Sequence, residues 1–411
     1  VNIAVIGGGA AGLSAAYVLQ RRHAVTVFER EPQLGGHVHT VELDGAALDM
    51  GFTILNDRNY PTMHRLLAQL GIDVRASDMS FGYESEPAGL RYAINWRAED
   101  PFAVPAAAGD SPLGALLAPA LRFCRAAPRD LRAGLLVGKT LGEYCRERNF
   151  APALVEHYLA PLGAASWSLA PESILAFPAE TYVGFFDHHG LYGFEAGPQW
   201  QTIPGGANRY VRAITDGFSG RFELAVRELQ VGRDDDGVTV TAAGRPPARF
   251  DAVVIATHAD EALGVLREPT TDERRLLGAW TYRENHCVLH TDSRAMPAER
   301  SAWASWNVKQ TAAGGPSTIT YHLNRIQGDS GMGRHYFLSH NDDRIAPEHL
   351  LARRSFRHPA YTLESLATQS QIRALNGTRR TYFCGSYLGY GFHEDAIRSG
   401  VAVAEAFGVT L

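Results

Sequence analysis

The chain has 411 residues, is 45% hydrophobic and 20% charged, and carries a formal net charge of -5, which excludes a disordered or fibrous polymer and gives no electrostatic footprint for nucleic acid. Such a length allows about two to three domains with ample core. Cys124, Cys145, Cys287 and Cys384 are scattered without CxxC spacing, so dithiol, zinc-ribbon and small disulfide-scaffold chemistries are excluded and buried free thiols are expected.

The hydrophobic run Asn2-Ile3-Ala4-Val5-Ile6 breaks at Gly7-Gly8-Gly9-Ala10-Ala11-Gly12 and resumes as a small-residue segment, while a second run from His23 to Phe28 ends in Glu29 and Arg30. That order predicts strand, tight turn, helix and strand. Gly7 suits the turn, Gly9 lets backbone approach a pyrophosphate, and Gly12 lets helix and strand pack closely. The phosphates then meet free N–H groups at the helix N-terminus, beside Ala10 and Ala11, and Glu29 stands where a carboxylate accepts a ribose hydroxyl. An adenine dinucleotide is the predicted ligand. With the first strand at residue 2 and no apolar run of membrane-spanning length, a cytoplasmic location is expected.

Leu34-Gly35-Gly36-His37 follows, a second glycine pair that brings more backbone against the cofactor and that NAD dehydrogenases do not use as standard. Residues 41–48 read as a hairpin turning at Asp44-Gly45, leading to Gly51 and Phe52, and residues 59–70 as an amphipathic helix closed by Gly71. From about 73 to 197 the pattern is helical and irregular. Residues 113–142 are strongly apolar and punctuated by Arg122, Arg125, Arg129 and Arg132, a pattern that suits peripheral contact with a membrane surface or the cover of a lipid-filled tunnel. A core-facing helix pair with a solvated basic edge is the commoner arrangement. Asp187, His188 and His189 invite a metal site, but adjacent residues point apart and no further ligand lies at suitable spacing, so polar pocket or core roles are expected and no metal.

Residues 222–231 and 238–242 are predicted as two strands around Asp234–Gly237, and residues 250–257 as a strand buried in a parallel sheet. Alternating stretches at 287–290, 318–322 and 335–339 predict an antiparallel sheet, with Trp303, Trp306, Tyr321 and Phe337 as an aromatic wall or as plain core. The last segment, from Thr381 through Gly385-Ser386 and Gly391-Phe392-His393-Glu394 to Gly400, is again strand, glycine-rich turn and helix, whose N-terminus would face a partly negative cofactor oxygen. Residues 1–72, 198–265 and 366–411 are therefore expected to form one domain, and 73–197 with 266–365 a second.

At this point the chain resembles the amine oxidase and phytoene-desaturase-like flavoproteins. Gly7, Gly9, Gly12 and Glu29 match that superfamily's dinucleotide fingerprint, and Leu34-Gly35-Gly36 its second glycine motif. Gly51 and Phe52 align with backbone beside the flavin ring, Val226 with the residue at the adenine, and Gly385 to Gly400 with the C-terminal flavin motif. The resemblance implies FAD and an α/β fold: a Rossmann-like FAD-binding domain of glutathione-reductase type, split in sequence, with an inserted α+β substrate domain. Residues 304–307 and 391–395 look like a bacterial branch associated with cyclopropane-fatty-acid-synthase-type methyltransferases, whose members resemble desaturases of methyl-branched acyl chains, as in furan fatty acid formation.

Three departures stand out: His37 replaces the usual Arg or Lys, Ser386 and Tyr387 replace the acid after Gly385, and no lysine aligns with the one many amine oxidases hold over flavin N5, since Lys309 lies in another context. The expected function is removal of hydride from a C–H bond of a hydrophobic substrate, a methylated fatty acyl chain, to leave a double bond. Trp167, Trp306, Tyr321 and Phe392 are expected in the substrate pocket and His393 near the flavin pyrimidine; His188, His189 and Glu394 are the candidate bases. The alternatives are an amine or amino-acid oxidase, and a flavin-binding partner of a lipid-modifying enzyme without turnover.

Overall fold

The strand Asn2–Ile6 lies between Ala24–Phe28 and Ala252–Ile255, parallel to both, and four of its five residues are buried. In the computed structural model, which describes residues 1–95, 112–192, 197–312, 317–328 and 332–411, these strands are the middle of a five-stranded parallel sheet completed by Arg221–Glu223 and Thr381–Phe383. The sheet thus draws on three separated stretches of chain. Its first helix, Ala10–Leu19, packs against the last, His393–Ala406. A Cβ on Gly400 would collide with the Ala11 carbonyl and the Ser14 hydroxyl, so the two helices touch through small residues.

The hairpin turns at Asp44 and Gly45, with φ of 52° and 79°, between Thr40–Leu43 and Ala46–Asp49. Helix Pro61–Gln69 buries Met63, Leu66 and Leu67. The expected strand at 222–231 is broken. After Glu223 the chain leaves the sheet, Ala225 and Glu228 adopt left-handed φ of 54° and 50°, and the Val226 N–H donates to the Glu29 carbonyl at 2.9 Å. A three-stranded meander follows, Gln230–Asp234, Gly237–Ala242 and Arg245–Phe250. Its last strand carries Pro246 and Pro247, which only an edge strand tolerates, and so escaped the sequence pattern.

The second sheet has seven strands in the order Leu350–Ala360, Thr281–His290, Phe337–His340, Ser317–His322, Trp306–Gln310, Ser80–Ser85 and Leu90–Asn95. The three stretches expected to form an antiparallel sheet pair antiparallel, and the sheet as a whole is mixed because Ser80–Ser85 runs parallel to Trp306–Gln310. The helix Pro112–Arg132 turns Phe123, Cys124 and Ala127 inward and leaves Arg122, Arg125, Arg129 and Arg132 outward. Among the described residues no helix is long and apolar enough to cross a membrane.

Candidate functional site

The turn at residues 7–12 is bare backbone. Gly9 caps the first helix without a side-chain acceptor and the first turn holds no acid, so its N–H groups remain available to an anion. Gly9 pairs with Gly35 in a single bridge, the Gly35 N–H donates to the Gly8 carbonyl at 2.9 Å, and a Cβ on Gly36 would stand 3.0 Å from the Gly9 Cα. Two glycine turns thus lie back to back, and side chains would fill the space a phosphate needs. Glu29 Oε2 accepts the Gly8 N–H at 2.6 Å and Oε1 the Glu31 N–H at 2.9 Å, which fixes the carboxylate at the rim of this cradle.

From the cradle a cavity of about 740 Å³ runs to the seven-stranded sheet. All the expected cofactor residues line it except Gly12 and Gly35, which serve the close backbone contacts: a Cβ on Gly12 would collide with the Gly7 carbonyl. At its middle, Phe52 and His393 stack with ring centroids 3.8 Å apart, and His393 Nε2 meets the Tyr210 hydroxyl at 2.8 Å. Burial, with His37 adding to it, pulls His393 down to about 3, so its imidazole is neutral. Phe392 stacks on Phe185 at 4.4 Å and meets Trp167 edge-on at 6.0 Å. Trp306 and Tyr321, directly opposed on neighbouring strands, continue that wall. Trp303 and Phe337 do not: they pack with Met296 in a separate cluster.

His188, His189 and Glu394 do not line the cavity. His189 Nδ1 meets the Phe185 carbonyl at 2.8 Å, its ring stacks on Trp200, and burial drives it down to about 3. The His188 carbonyl accepts from Asn59, and desolvation lowers its imidazole. Glu394 accepts the N–H groups of Thr62 and Met63 and so caps the helix Pro61–Gln69. Lys309 is paired with Glu84 and Glu86. Among the described residues no cluster suited to a metal ion occurs.

Several lining residues around His37 gave no sequence signal. His37 Nε2 lies 3.1 Å from the Arg357 carbonyl, its ring stacks on Phe356, and His258 and His358 stand 5.7 and 5.3 Å away. Burial lowers all three histidines, so the His37 side chain is neutral at the position where the resembling flavoproteins carry a cation. Arg354, Cys287 and His340 line the sheet side. The only hint was the alternation Arg354, Phe356, His358 along one strand.

Residues 10–321 match the flavin containing amine oxidoreductase family. The chain belongs to this family. FAD is accordingly its cofactor, and the two glycine turns, Glu29 and the backbone at Val226 and Gly51 form a cradle that fits it. A family relative in Mycobacterium tuberculosis, assigned as flavin-containing monoamine oxidase AofH, is 29% identical over 273 residues, which cover 62% of this chain and 57% of that protein. The chain is also similar in structure to wild-type putrescine oxidase bound to putrescine, with a TM-score of 0.72, 15% identity and coverage of 99% and 98%. The fatty acid isomerase of P. acnes that produces CLA gives a TM-score of 0.72 at 16% identity, with 98% of both chains covered. These two structures share the fold, a mixed α/β architecture with a parallel sheet.

Proposed function

We propose that this family member takes hydride from a C–H bond of a hydrophobic substrate, a methylated fatty acyl chain, and leaves a double bond. The observation that carries the reading is the aromatic wall at Trp167, Phe185, Phe392, Trp306 and Tyr321; the carboxylates that line the cavity, Glu29, Glu31, Glu261 and Glu284, lie outside it, and no lysine is among the described lining residues. An apolar chain gains from such a surface; an ammonium group finds no counter-ion on it. The likeness of residues 304–307 and 391–395 to the methyltransferase-associated branch supports the same substrate, and the split parallel sheet suits a glutathione-reductase-type nucleotide fold.

Bound FAD supplies the hydride acceptor. Phe392 and Trp167 orient the chain and exclude water. The N-terminus of the helix His393–Ala406 faces the cavity, where its partial positive charge, offset in part by Glu394 and Asp395 in the first turn, would favour negative charge on bound FAD. The proton from the neighbouring carbon leaves to solvent, since none of His188, His189 and Glu394 lines the cavity and burial makes the His393 imidazole, at about 3, too weak a base to hold it.

Oxidation of an amine is the second reading, favoured by the 29% identity to AofH. Anaerobic bleaching of the flavin separates the two. Phospholipids with methyl-branched acyl chains are expected to bleach it and a panel of mono- and diamines to leave it oxidised; the reverse pattern overturns the acyl reading. The exposed Leu135 (48%) and Val137 (63%), next to Arg129 and Arg132, support a contact with anionic lipid surface through residues 113–142.

A further inference from the structure

Two buried polar atoms on one face of the seven-stranded sheet have no partner. The first is Arg354 Nε. Arg354 lines the cavity, and its guanidinium lies over the Phe356 ring, 5.6 Å from the centroid, with no carboxylate or carbonyl partner among the described residues. Arg357, three residues on, is by contrast held by Asp260 and Glu261. The second orphan is Nδ1 of His340, a residue only 8% exposed that also lines the cavity.

The strand register puts the two together. Arg354 is directly opposite Cys287, and Cys287 directly opposite His340. Opposed residues share a face, so Arg354, Cys287 and His340 form one row across three strands, spanning about 10 Å at the usual strand spacing. Cys287 Sγ lies 3.7 Å from His340 Nε2. Burial pushes the thiol up to about 12 and the imidazole down to about 4, so both are neutral. With the thiol proton directed at Nε2, the ring proton sits on Nδ1, and His340 offers a donor. At one end of the row is a permanent cation, at the other a neutral N–H, with a small side chain between them. Beyond the row lie Tyr321 and Trp306.

We infer that this row binds the anionic end of the substrate, the carboxylate of a free acyl chain or the phosphodiester of a phospholipid, with Arg354 supplying a charge-assisted hydrogen bond and His340 Nδ1–H a second donor. The inference rests on the acyl reading above and adds to it where the chain's polar end is held. A carboxylate or phosphate accepts from both donors and satisfies two groups that are costly to leave buried and unpaired.

The test is equilibrium binding to the FAD-loaded protein, read as perturbation of the flavin absorption band, with palmitate, lysophosphatidylglycerol, palmityl alcohol and palmitylamine as probes. Arg354→Met is expected to weaken an anionic probe roughly ten- to hundred-fold and His340→Phe about two- to tenfold, with palmityl alcohol unaffected and Arg354→Lys restoring part of the loss. Flavin content and melting temperature should stay at wild-type values. Dependence on Arg354 with palmitate alone assigns a free carboxylate, and with the lysophospholipid alone a phosphodiester. Unchanged binding of both anions in Arg354→Met overturns the site, and if that variant still bleaches on methyl-branched acyl chains the acyl reading survives it. Loss of FAD from Arg354→Met overturns it too, by assigning the guanidinium to the cofactor. A wild-type protein that takes palmitylamine and neither anion overturns both readings.

Discussion

Glu394 accepts the Met63 N–H at 2.9 Å, across 331 positions of sequence, and with its other oxygen holds the Thr62 N–H at 3.0 Å. Its carboxylate therefore closes the first turn of the helix Pro61–Gln69, which no residue of its own caps. Glu394→Ala leaves one buried and one part-buried donor unmet and is expected to cost about 2–4 kcal/mol. Glu394→Gln keeps one acceptor and should cost about half as much. Urea unfolding measures both. Turnover per bound FAD in Glu394→Gln should stay within about threefold of wild type; a tenfold drop at unchanged stability would return Glu394 to the list of bases.

Glu29 makes a second prediction at the other end of the cofactor. Both of its oxygens already take a backbone N–H, which fixes the remaining lone pairs toward the cavity. In Glu29→Gln one of those N–H groups faces an amide nitrogen. Loss of a charge-assisted acceptor of this kind is expected to weaken FAD binding roughly ten- to hundred-fold. Reconstitution of apoprotein, followed by quenching of flavin fluorescence, gives the dissociation constant. Equal affinity would mean that the acid only shapes the turn.

Local chemistry was legible and long-range register was not. The turn at Gly7 to Gly12 and the acid at Glu29 are readable because strand, glycines, helix and carboxylate are neighbours in sequence. The cap made by Glu394 depends on a helix more than three hundred residues away, so the same acid reads as a free base. Trp306 and Tyr321 were grouped with Trp303 and Phe337, yet Phe337 opposes His322 and Tyr321 opposes Leu338, so the two sets have opposite parity. Alternation within each strand carried that information, but only the pairing fixes which parity faces the cavity. The row Arg354, Cys287 and His340 needs the register of three strands at once. Ala225 and Glu228 broke an expected strand because nonglycine residues in left-handed conformation give no signal in sequence.

The buried histidines set how stability responds to acid. His189, His258 and His393 are pulled from 6.5 to about 3, chiefly by desolvation. Between those values the unfolded chain binds protons that the folded chain refuses, so stability is full above about 6.5 and falls as pH drops toward 3. Each such group contributes at most about 1.4 kcal/mol per pH unit. Asp49 and Asp395, raised to about 7 and about 6 by burial, act in the opposite sense, since the folded chain holds their protons as pH rises. The histidines outnumber them, and the urea midpoint is expected to fall between pH 7 and pH 5. His189→Phe, whose ring can rest on Phe185 and Trp200, should flatten that dependence by up to one proton. An unchanged slope would show that His189 charges within the fold.

Lipid contact is tested at the turn that follows the helix Pro112–Arg132. Phe123, Cys124 and Ala127 already bind this helix to the core, and the Arg122 guanidinium sits on the Phe150 ring at 4.8 Å, so neither is available to a membrane. Leu135 and Val137 are exposed, and Arg125, Arg129 and Arg132 share the solvent side of the helix. Each arginine near an anionic surface contributes about 1 kcal/mol, and each inserted aliphatic side chain a comparable amount. Cosedimentation with phosphatidylglycerol vesicles should exceed that with phosphatidylcholine vesicles and weaken with salt. Leu135→Ser with Val137→Ser is expected to lower the anionic binding about tenfold while leaving urea stability unchanged, because neither side chain is packed. Equal pelleting of the double variant and the wild type would leave the arginines as an ordinary solvated edge.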